Sequence, residues 1–113
     1  MKRIAFALSA IIAAAPAWAQ AIEPRDARAH IGETATIIGR ASIQEMRSGE
    51  VYLDFAGRGD DAPVSAYVSR WNRDRFPLIA NLDGKMVKVT GVIGSFRYRP
   101  EIFLTDPAQI AVK

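Results

Sequence analysis

Hydrophobic and polar residues alternate along most of the chain after residue 34, with the period of two that β-strands show. In "VYLDF" the residues Val51, Leu53 and Phe55 fall on one face, and Tyr52 and Asp54 fall on the other. Comparable segments are "TATIIGRASI" (34–43), "VSAYVS" (64–69), "KMVKVTGVI" (85–93) and "EIFLT" (101–105). The pattern therefore predicts five short strands, the first with an imperfect alternation because Ile38 falls on the polar side.

Residues typical of turns separate the predicted strands. These linkers are "RSGE", "AGRGDDAP" and "RYRP", together with the longer connection "RWNRDRFPLIANLDGK" (70–85) between the third and fourth strands. The longer connection is sufficient for a short helix. A second short helix is predicted over Ile22 to Ala29, since Pro24 suits a first helical turn and Gly32 suits the end of a helix.

Five strands in so short a chain predict a closed barrel. An open sheet would need further segments of the chain to cover both of its faces, whereas closure into a barrel buries one face and removes the exposed edges. Gly39 and Gly91 each lie in the middle of a predicted strand, where glycine permits the strong coiling of a small barrel. We therefore expect an all-β domain in the order β-β-β-(short helix)-β-β, with the short N-terminal helix before it.

The first nineteen residues have the pattern of a secretory signal peptide. Lys2 and Arg3 precede an apolar segment, and Ala17-Trp18-Ala19 matches the small-residue pattern of a cleavage site. Cleavage after Ala19 would leave residues 20–113 as a single domain, periplasmic or secreted, without stable membrane insertion. An uncleaved anchor is the alternative, although the apolar segment is short for a membrane span. The chain has no cysteine, which excludes disulfides and a lipid-modified export signal.

Loss of the signal peptide also changes the charge. The whole chain carries 15 Lys and Arg residues against 12 Asp and Glu residues, a net charge of +3. Lys2 and Arg3 leave with residues 1–19, which contain no acidic residue, so the net charge falls to +1. Attraction of an anionic partner must therefore come from local clusters of basic residues rather than from the overall field.

Residues 32 to 110 resemble the OB-fold, the five-stranded oligonucleotide/oligosaccharide-binding barrel. The motif "LDGKMVKVTGVI" is similar to the fourth strand of many such domains, "TATIIGRAS" to the first, "GEVYLDFAG" to the second and "RPEIFLTDPAQI" to the fifth. The resemblance implies a Greek-key barrel with a short helix between strands 3 and 4. Small exported bacterial OB-fold proteins of stress and envelope function are also similar, although their aspartate-rich motif is only partly present in "YLDFAG".

The resemblance implies a ligand site on the outer face of strands 2 and 3, flanked by the loops joining strands 1 to 2 and 4 to 5. All three tyrosines of the chain and three of its arginines are expected there: Tyr52, Tyr67, Tyr98, Arg47, Arg97 and Arg99. Aromatic rings stack on bases and arginines neutralise phosphates. The predicted ligand is therefore single-stranded nucleic acid or another anionic polymer.

Three alternatives remain at the level of sequence. The first is that these residues bind no ligand, because tyrosine is common on strands, where its ring covers the sheet surface. Asp54 also lies between the expected contacts and would repel phosphate. Phe103 is predicted to point outward and would suit an envelope protein partner that binds a barrel edge. A small molecule or an oligosaccharide on the same face is the third alternative.

A second cluster combines Trp71 with Arg70, Arg73 and Arg75. It is either another binding patch or, as we expect, a barrel end closed by Trp71 beside Phe76 with the arginines in solvent.

Catalysis and cofactors are not expected. His30 is the sole histidine and there is no cysteine, so the chain lacks a zinc-ligand set and a nucleophile–histidine pair. Asp60 and Asp61 are adjacent acids without a third ligand at a useful spacing, which is typical of a solvated turn rather than a calcium site. We therefore expect a binding module, with neither metal nor cofactor.

Overall fold

The computed structural model describes residues 19–113, and the rest of the predicted signal peptide lies outside this range. The strands are β1 (Gln20–Ile22), β2 (Thr34–Glu45), β3 (Val51–Phe55), β4 (Val64–Val68), β5 (Met86–Phe96), β6 (Arg99–Phe103) and β7 (Ile110–Val112). Short 3-10 helical segments lie at Pro24–His30, Gly59–Asp61, Arg70–Arg75, Ile79–Leu82 and Pro107–Gln109. Within residues 19–113, no helix has the length and apolar character needed to span a membrane.

Strands β2 to β6 form a closed barrel. β2 pairs with β3 and β3 with β4, both antiparallel, and β4 pairs with β6 in parallel. β6 then pairs with β5, and β5 returns to β2 to complete the circle. This is the strand order of an OB-fold, so the predicted five-stranded Greek-key barrel is confirmed.

The alternating pattern separates the inside of the barrel from the outside. Every inward residue predicted in the second and third barrel strands is buried: Val51, Leu53, Phe55, Val64, Ala66 and Val68. They meet Ile37, Val87, Val89, Ile93 and Ile102 from the other strands in a single core cluster. Burial of these apolar side chains is the main source of stability in a domain without disulfides.

Two glycines allow close packing around β2 and β5. A Cβ atom on Gly91 would lie 2.7 Å from the Cγ2 of Ile102 and 2.9 Å from the Nε2 of Gln109, which is closer than packed atoms approach. At Gly39 the Cβ would lie 3.1 Å from the ring of Phe55. The mid-strand glycines predicted to permit coiling therefore also leave room for neighbouring side chains.

The chain ends differ from the prediction. The N-terminal helix was expected from Ile22, but Ile22 belongs to β1, and the 3-10 segment begins at Pro24. β1 pairs in parallel with β2, and β7 pairs antiparallel with β5. Strands of three residues are too short for a recognisable alternation, so the pattern did not reveal them.

The long connection between β4 and β5 contains the predicted short helix as two 3-10 segments, Arg70–Arg75 and Ile79–Leu82. Phe76 and Ile79 from this connection are buried in the core cluster. Trp71, by contrast, is 79% exposed. The expectation that Trp71 closes the barrel end is therefore wrong, because the turn of the backbone directs Phe76 inward instead.

Candidate binding face

Three aromatic side chains lie next to one another across the outer face of β3, β4 and β6. The strand register places Tyr52 opposite Tyr67 and Tyr67 opposite Phe103. The ring centroids are 5.0 Å apart for the first pair and 5.3 Å apart for the second, with the planes tilted by 48° and 56°. We call Tyr52, Tyr67 and Phe103 the aromatic row.

The aromatic row is accessible and held by paired strands. Phe103 is 57% exposed, while Tyr52 and Tyr67 are half-buried. Burial, and then the charge of Glu101, raises the pKa of the Tyr52 phenol above its ordinary value of 10.0. Burial, and then Glu50, raises the pKa of Tyr67 in the same way. Both phenols are therefore neutral near pH 7 and retain an O–H that can donate a hydrogen bond.

A row of polar residues runs beside the aromatic row on the same three strands. Asp54 is opposite Ser65, and Ser65 is opposite Glu101. The Asp54 carboxylate accepts a hydrogen bond of 2.7 Å from the Ser65 hydroxyl and one of 2.8 Å from the Gly59 backbone N–H. Asp54 was expected to project outward into solvent, but it is only 1% exposed, because the segment around Gly59 folds over it.

Glu101 is the unusual member of this polar row. It is 2% exposed, and its Oε2 atom has no hydrogen-bond partner among residues 19–113. Burial raises the pKa of the Glu101 carboxyl above its ordinary 4.5, Arg99 opposes that shift and the Asp54 charge adds to it. The Arg99 guanidinium also donates to the Gly59 carbonyl. Arg99 is therefore engaged by the protein, next to buried carboxylates.

Arg97 and Tyr98 form the two-residue turn between β5 and β6, which we call the β5–β6 turn. Their φ angles are +53° and +68°, and the flanking Phe96 and Arg99 are paired. Two positive φ angles in succession define a type I′ turn, for which Asn-Gly is the preferred sequence. Tyr98 is 86% exposed, and the Arg97 guanidinium lies 5.2 Å from the Phe96 ring centroid.

The β5–β6 turn is remote from the aromatic row. Arg99 precedes Phe103 by four residues along β6, a separation of roughly 13 Å at the rise of an extended strand. The turn lines a cleft with Asp60 and Asp61 from the β3–β4 connection. Of the six predicted contacts, Tyr52 and Tyr67 are therefore adjacent, whereas Arg97 and Tyr98 lie at the other end of the face. Arg99 lines the same cleft as this turn, but it is close enough to Tyr52 for its charge to act on the phenol.

Arg47, the sixth predicted contact, lies at the aromatic-row end of the face. It is exposed in the turn between β2 and β3. Two backbone hydrogen bonds close this turn, from the Met46 N–H to the Glu50 carbonyl and from the Gly49 N–H to the Met46 carbonyl. The β3–β4 ladder begins directly after this turn with Val51 opposite Val68. Arg47 is therefore adjacent to the start of the strand that carries Tyr52.

Phe103 was predicted to point outward, but not to join the tyrosines. The parallel pairing of β4 with β6 brings it beside Tyr67, and the strand order of the OB-fold would have revealed this neighbour. The barrel edge that we had associated with Phe103 is absent, since β6 pairs with β4 on one side and with β5 on the other.

Comparison with known proteins identifies the fold but no family. No family model matches the chain, and no curated protein matches it. An aspartyl-tRNA synthetase from Entamoeba histolytica is similar in structure, with a TM-score of 0.60 and 18% identity over 88% of this chain and 22% of the synthetase. A protein from Leishmania major Friedlin assigned as an aspartyl-tRNA synthetase has a TM-score of 0.56 and 12% identity over 83% of this chain and 20% of its own.

A third similar structure is an OBody bound to hen egg-white lysozyme, with a TM-score of 0.56 and 20% identity over 76% of this chain and 84% of the OBody. This chain spans only about a fifth of the length of the two synthetases. At these identities the similarity concerns the barrel alone, and the function must be argued from the side chains.

Proposed function

We propose that this protein is an exported, non-enzymatic module that binds single-stranded nucleic acid on the aromatic row. The observation that carries the proposal is the adjacency of Tyr52, Tyr67 and Phe103, with ring centroids 5.0 and 5.3 Å apart. Stacking of a base on an aromatic side chain contributes about 1–3 kcal/mol and tolerates any base. Several adjacent rings on one OB-fold surface suit a ligand that offers several bases in succession.

The charges around the aromatic row fit a ligand bound by stacking more than by attraction at a distance. The net charge of +1 after signal cleavage gives little long-range steering. Arg47 is exposed in the turn before the strand that carries Tyr52, and the Arg99 charge acts on the Tyr52 phenol against the opposite effects of Glu50 and Glu101. Asp54 is buried under hydrogen bonds and does not face the ligand. We therefore expect modest affinity with a shallow dependence on salt concentration, since few phosphates are neutralised.

The similar structures support this proposal at the level of fold. Two of them are aspartyl-tRNA synthetases, enzymes named for a nucleic-acid substrate. The third, the OBody, is bound to a protein, hen egg-white lysozyme. An envelope protein partner is accordingly our second candidate, and the 57% exposure of Phe103 favours it. Such a partner would contact the aromatic row itself, because β6 offers no unpaired edge.

The test is a titration of a labelled single-stranded oligothymidylate, followed by fluorescence anisotropy at low and at moderate salt. We expect saturable binding that Tyr67→Ala weakens. The matched control is Phe96→Ala, which removes a partly exposed ring from the outer face near the β5–β6 turn. Absence of binding at low salt would reject the proposal. Capture of envelope proteins that depends on Phe103 would then support the second candidate.

Export has its own test. If the signal peptide is cleaved after Ala19, the protein isolated from a periplasmic or culture-medium fraction should begin at Gln20. Gln20 is also the first residue of β1, so cleavage would leave every described strand intact. Recovery of the protein only in the cytoplasm with Met1 retained would contradict the export part of the proposal.

A further inference from the structure

An arginine and a tryptophan stack on each other just after β4. The Arg70 guanidinium carbon lies 4.4 Å from the centroid of the Trp71 ring, within the range of a cation–π interaction. Trp71 is 79% exposed, although tryptophan is highly buried on average in folded proteins. Arg70 covers one face of the ring. The exposed tryptophan therefore retains a large apolar surface toward solvent.

The stacked pair lies at the aromatic-row end of the face. Val68 pairs with Val51 at this end of the β3–β4 ladder, and Arg70 follows Val68 by two residues. A Cβ atom on Gly49, in the β2–β3 turn, would lie 3.2 Å from the Cβ of Arg70, so this turn and Arg70 are in contact. Arg70 is also close enough to Tyr67 for its charge to act on the phenol. Arg70 thus adjoins Tyr67 and the turn that carries Arg47, and Trp71 is stacked on Arg70.

The backbone that presents this pair is held in place by its neighbours. Arg73 donates a hydrogen bond of 2.7 Å to the Phe76 carbonyl, and its guanidinium forms a 3.2 Å ion pair with Glu45 at the end of β2. The Asn72 N–H donates to the Ser69 carbonyl at 3.0 Å. Phe76 anchors the segment in the core. Arg73 is thus occupied by Glu45, whereas Arg70 has no ion-pair partner within residues 19–113.

We propose that Arg70 and Trp71 form a further nucleotide subsite beside the aromatic row, past the end of the strand that carries Tyr67. The open face of Trp71 would stack on one more base, and the Arg70 guanidinium would contact the phosphate that links this base to the one on Tyr67. The inference rests on the proposed function and extends it, since it names the residues that bind the next nucleotide.

The subsite can be followed by its own fluorescence. The chain has two tryptophans, Trp18 and Trp71, and cleavage after Ala19 leaves Trp71 as the sole tryptophan of the exported protein. In the uncleaved chain, Trp18→Phe leaves Trp71 alone in the same way. Unlabelled oligothymidylate should quench this fluorescence, with the same midpoint as the anisotropy of the labelled oligonucleotide. Inorganic polyphosphate, a polyanion without bases, should bind through Arg70 at most and leave most of the emission unquenched.

Substitutions give the second readout. Trp71→Ala should weaken oligothymidylate binding roughly 5- to 150-fold, the range for one lost stack, and Trp71→Phe should restore part of it. Arg70→Gln should reduce the slope of log affinity against log salt by about 0.7, the value for one phosphate on a single strand. The matched control is Leu78→Ala. Leu78 is an exposed apolar residue of the same connection, and it lines a pocket to which Arg70 and Trp71 do not contribute. The Leu78→Ala variant should bind like the unmodified protein.

Different experimental results would reject the subsite and the proposed function. If oligothymidylate binds and Tyr67→Ala weakens it, but Trp71 emission is unchanged and Trp71→Ala binds normally, the subsite is rejected and the proposed function stands. If the unmodified protein does not bind oligothymidylate at low salt, the proposed function fails and the subsite fails with it.

Trp71 is on the surface, so thermal unfolding of Trp71→Ala should match that of the unmodified protein.

Discussion

The two ends of the outer face carry the same kinds of residue in different physical settings. At one end, Tyr52, Tyr67 and Phe103 project from three paired strands, with Arg47 and Arg70 nearby. At the other end, Arg97 and Tyr98 form an exposed turn with positive φ angles. Asp60 and Asp61 line the same cleft as this turn. Both ends therefore combine aromatic rings with arginines, but only the first holds its rings in a rigid, adjacent arrangement.

This contrast shows that composition alone does not identify a stacking surface. A ring on a strand is oriented by the pleat and by its cross-strand neighbours before any ligand arrives. A ring on a two-residue turn lacks such neighbours and must be ordered on binding, at a cost in conformational entropy. Carboxylates lie near both ends, with Asp60 and Asp61 beside the turn and Glu50 and Glu101 beside the tyrosines, so the comparison depends on the orientation of the rings. We therefore place the proposed nucleotide binding on the aromatic row and expect the β5–β6 turn to contribute less.

The largest predicted effect separates the two ends directly. Tyr67→Ala removes the central ring of the aromatic row, which contacts both Tyr52 and Phe103, and should weaken oligonucleotide binding roughly 5- to 150-fold. Tyr98→Ala should change binding much less, although Tyr98 is far more exposed. Paired anisotropy titrations measure both effects. A larger loss for Tyr98→Ala would reverse the comparison.

The second prediction concerns stability at the turn. Replacement of Arg97 by Asn together with Tyr98 by Gly supplies the residues that a type I′ turn prefers. Positive φ angles cost most L-residues about 1–2 kcal/mol each, and glycine, or asparagine through local hydrogen bonds, adopts them more readily. We therefore expect the free energy of unfolding to rise by roughly 1–3 kcal/mol. Denaturant titration measures the change. An unchanged or lower stability would show that the turn is not strained.

The third prediction uses salt. Arg47→Gln should reduce the slope of log affinity against log salt by about 0.7, if Arg47 contacts one phosphate near Tyr52. Arg97→Gln should leave the slope close to that of the unmodified protein, because Arg97 lies at the remote end of the face. Titrations across a salt series compare the two variants. Equal reductions would mean that both ends contact the strand.

The smallest predicted effect is the pH dependence from Glu101. Its pKa is raised by burial, with Asp54 adding to the shift and Arg99 opposing it, so folding favours the protonated carboxyl. The corresponding stability is fully present below the ordinary pKa of 4.5 and is lost as the pH rises through the elevated value. Glu101→Gln should remove this loss.

The measurement for Glu101 is the free energy of unfolding across the pH range above 4.5. The curve for Glu101→Gln should fall less with rising pH than that of the unmodified protein. Glu23→Gln, at an exposed carboxylate, serves as the control and should follow the unmodified protein. Identical slopes for Glu101→Gln and the unmodified protein would contradict the assigned pKa direction.

The local alternation of apolar and polar residues was sufficient to predict most of the fold. The alternation that identified Val51, Leu53 and Phe55 as inward residues depends only on neighbours in sequence, and burial confirms it. The number of strands and the two mid-strand glycines predicted a closed barrel, and the resemblance to OB-folds implied its Greek-key order. The strand pairing confirms both. β1 and β7 were missed because three residues do not establish a period.

The candidate site depends on contacts between distant segments, so the sequence predicted it less well. Phe103 joins Tyr67 only through the parallel β4–β6 pairing. Asp54 is buried because the Gly59 segment folds over it. The outward direction of Trp71 depends on the phase of a short 3-10 turn, which no periodic pattern encodes at this length. Each of these features requires the assembled barrel.

Chemical-shift mapping by NMR tests the central proposal most directly. Titration of an isotope-labelled protein with single-stranded oligothymidylate should shift the resonances of the aromatic row most, followed by those of Arg70 and Trp71. Arg97 and Tyr98 of the β5–β6 turn should change little. Shifts confined to that turn, or an absence of shifts at low salt, would contradict the assignment of the aromatic row as the nucleotide-binding surface.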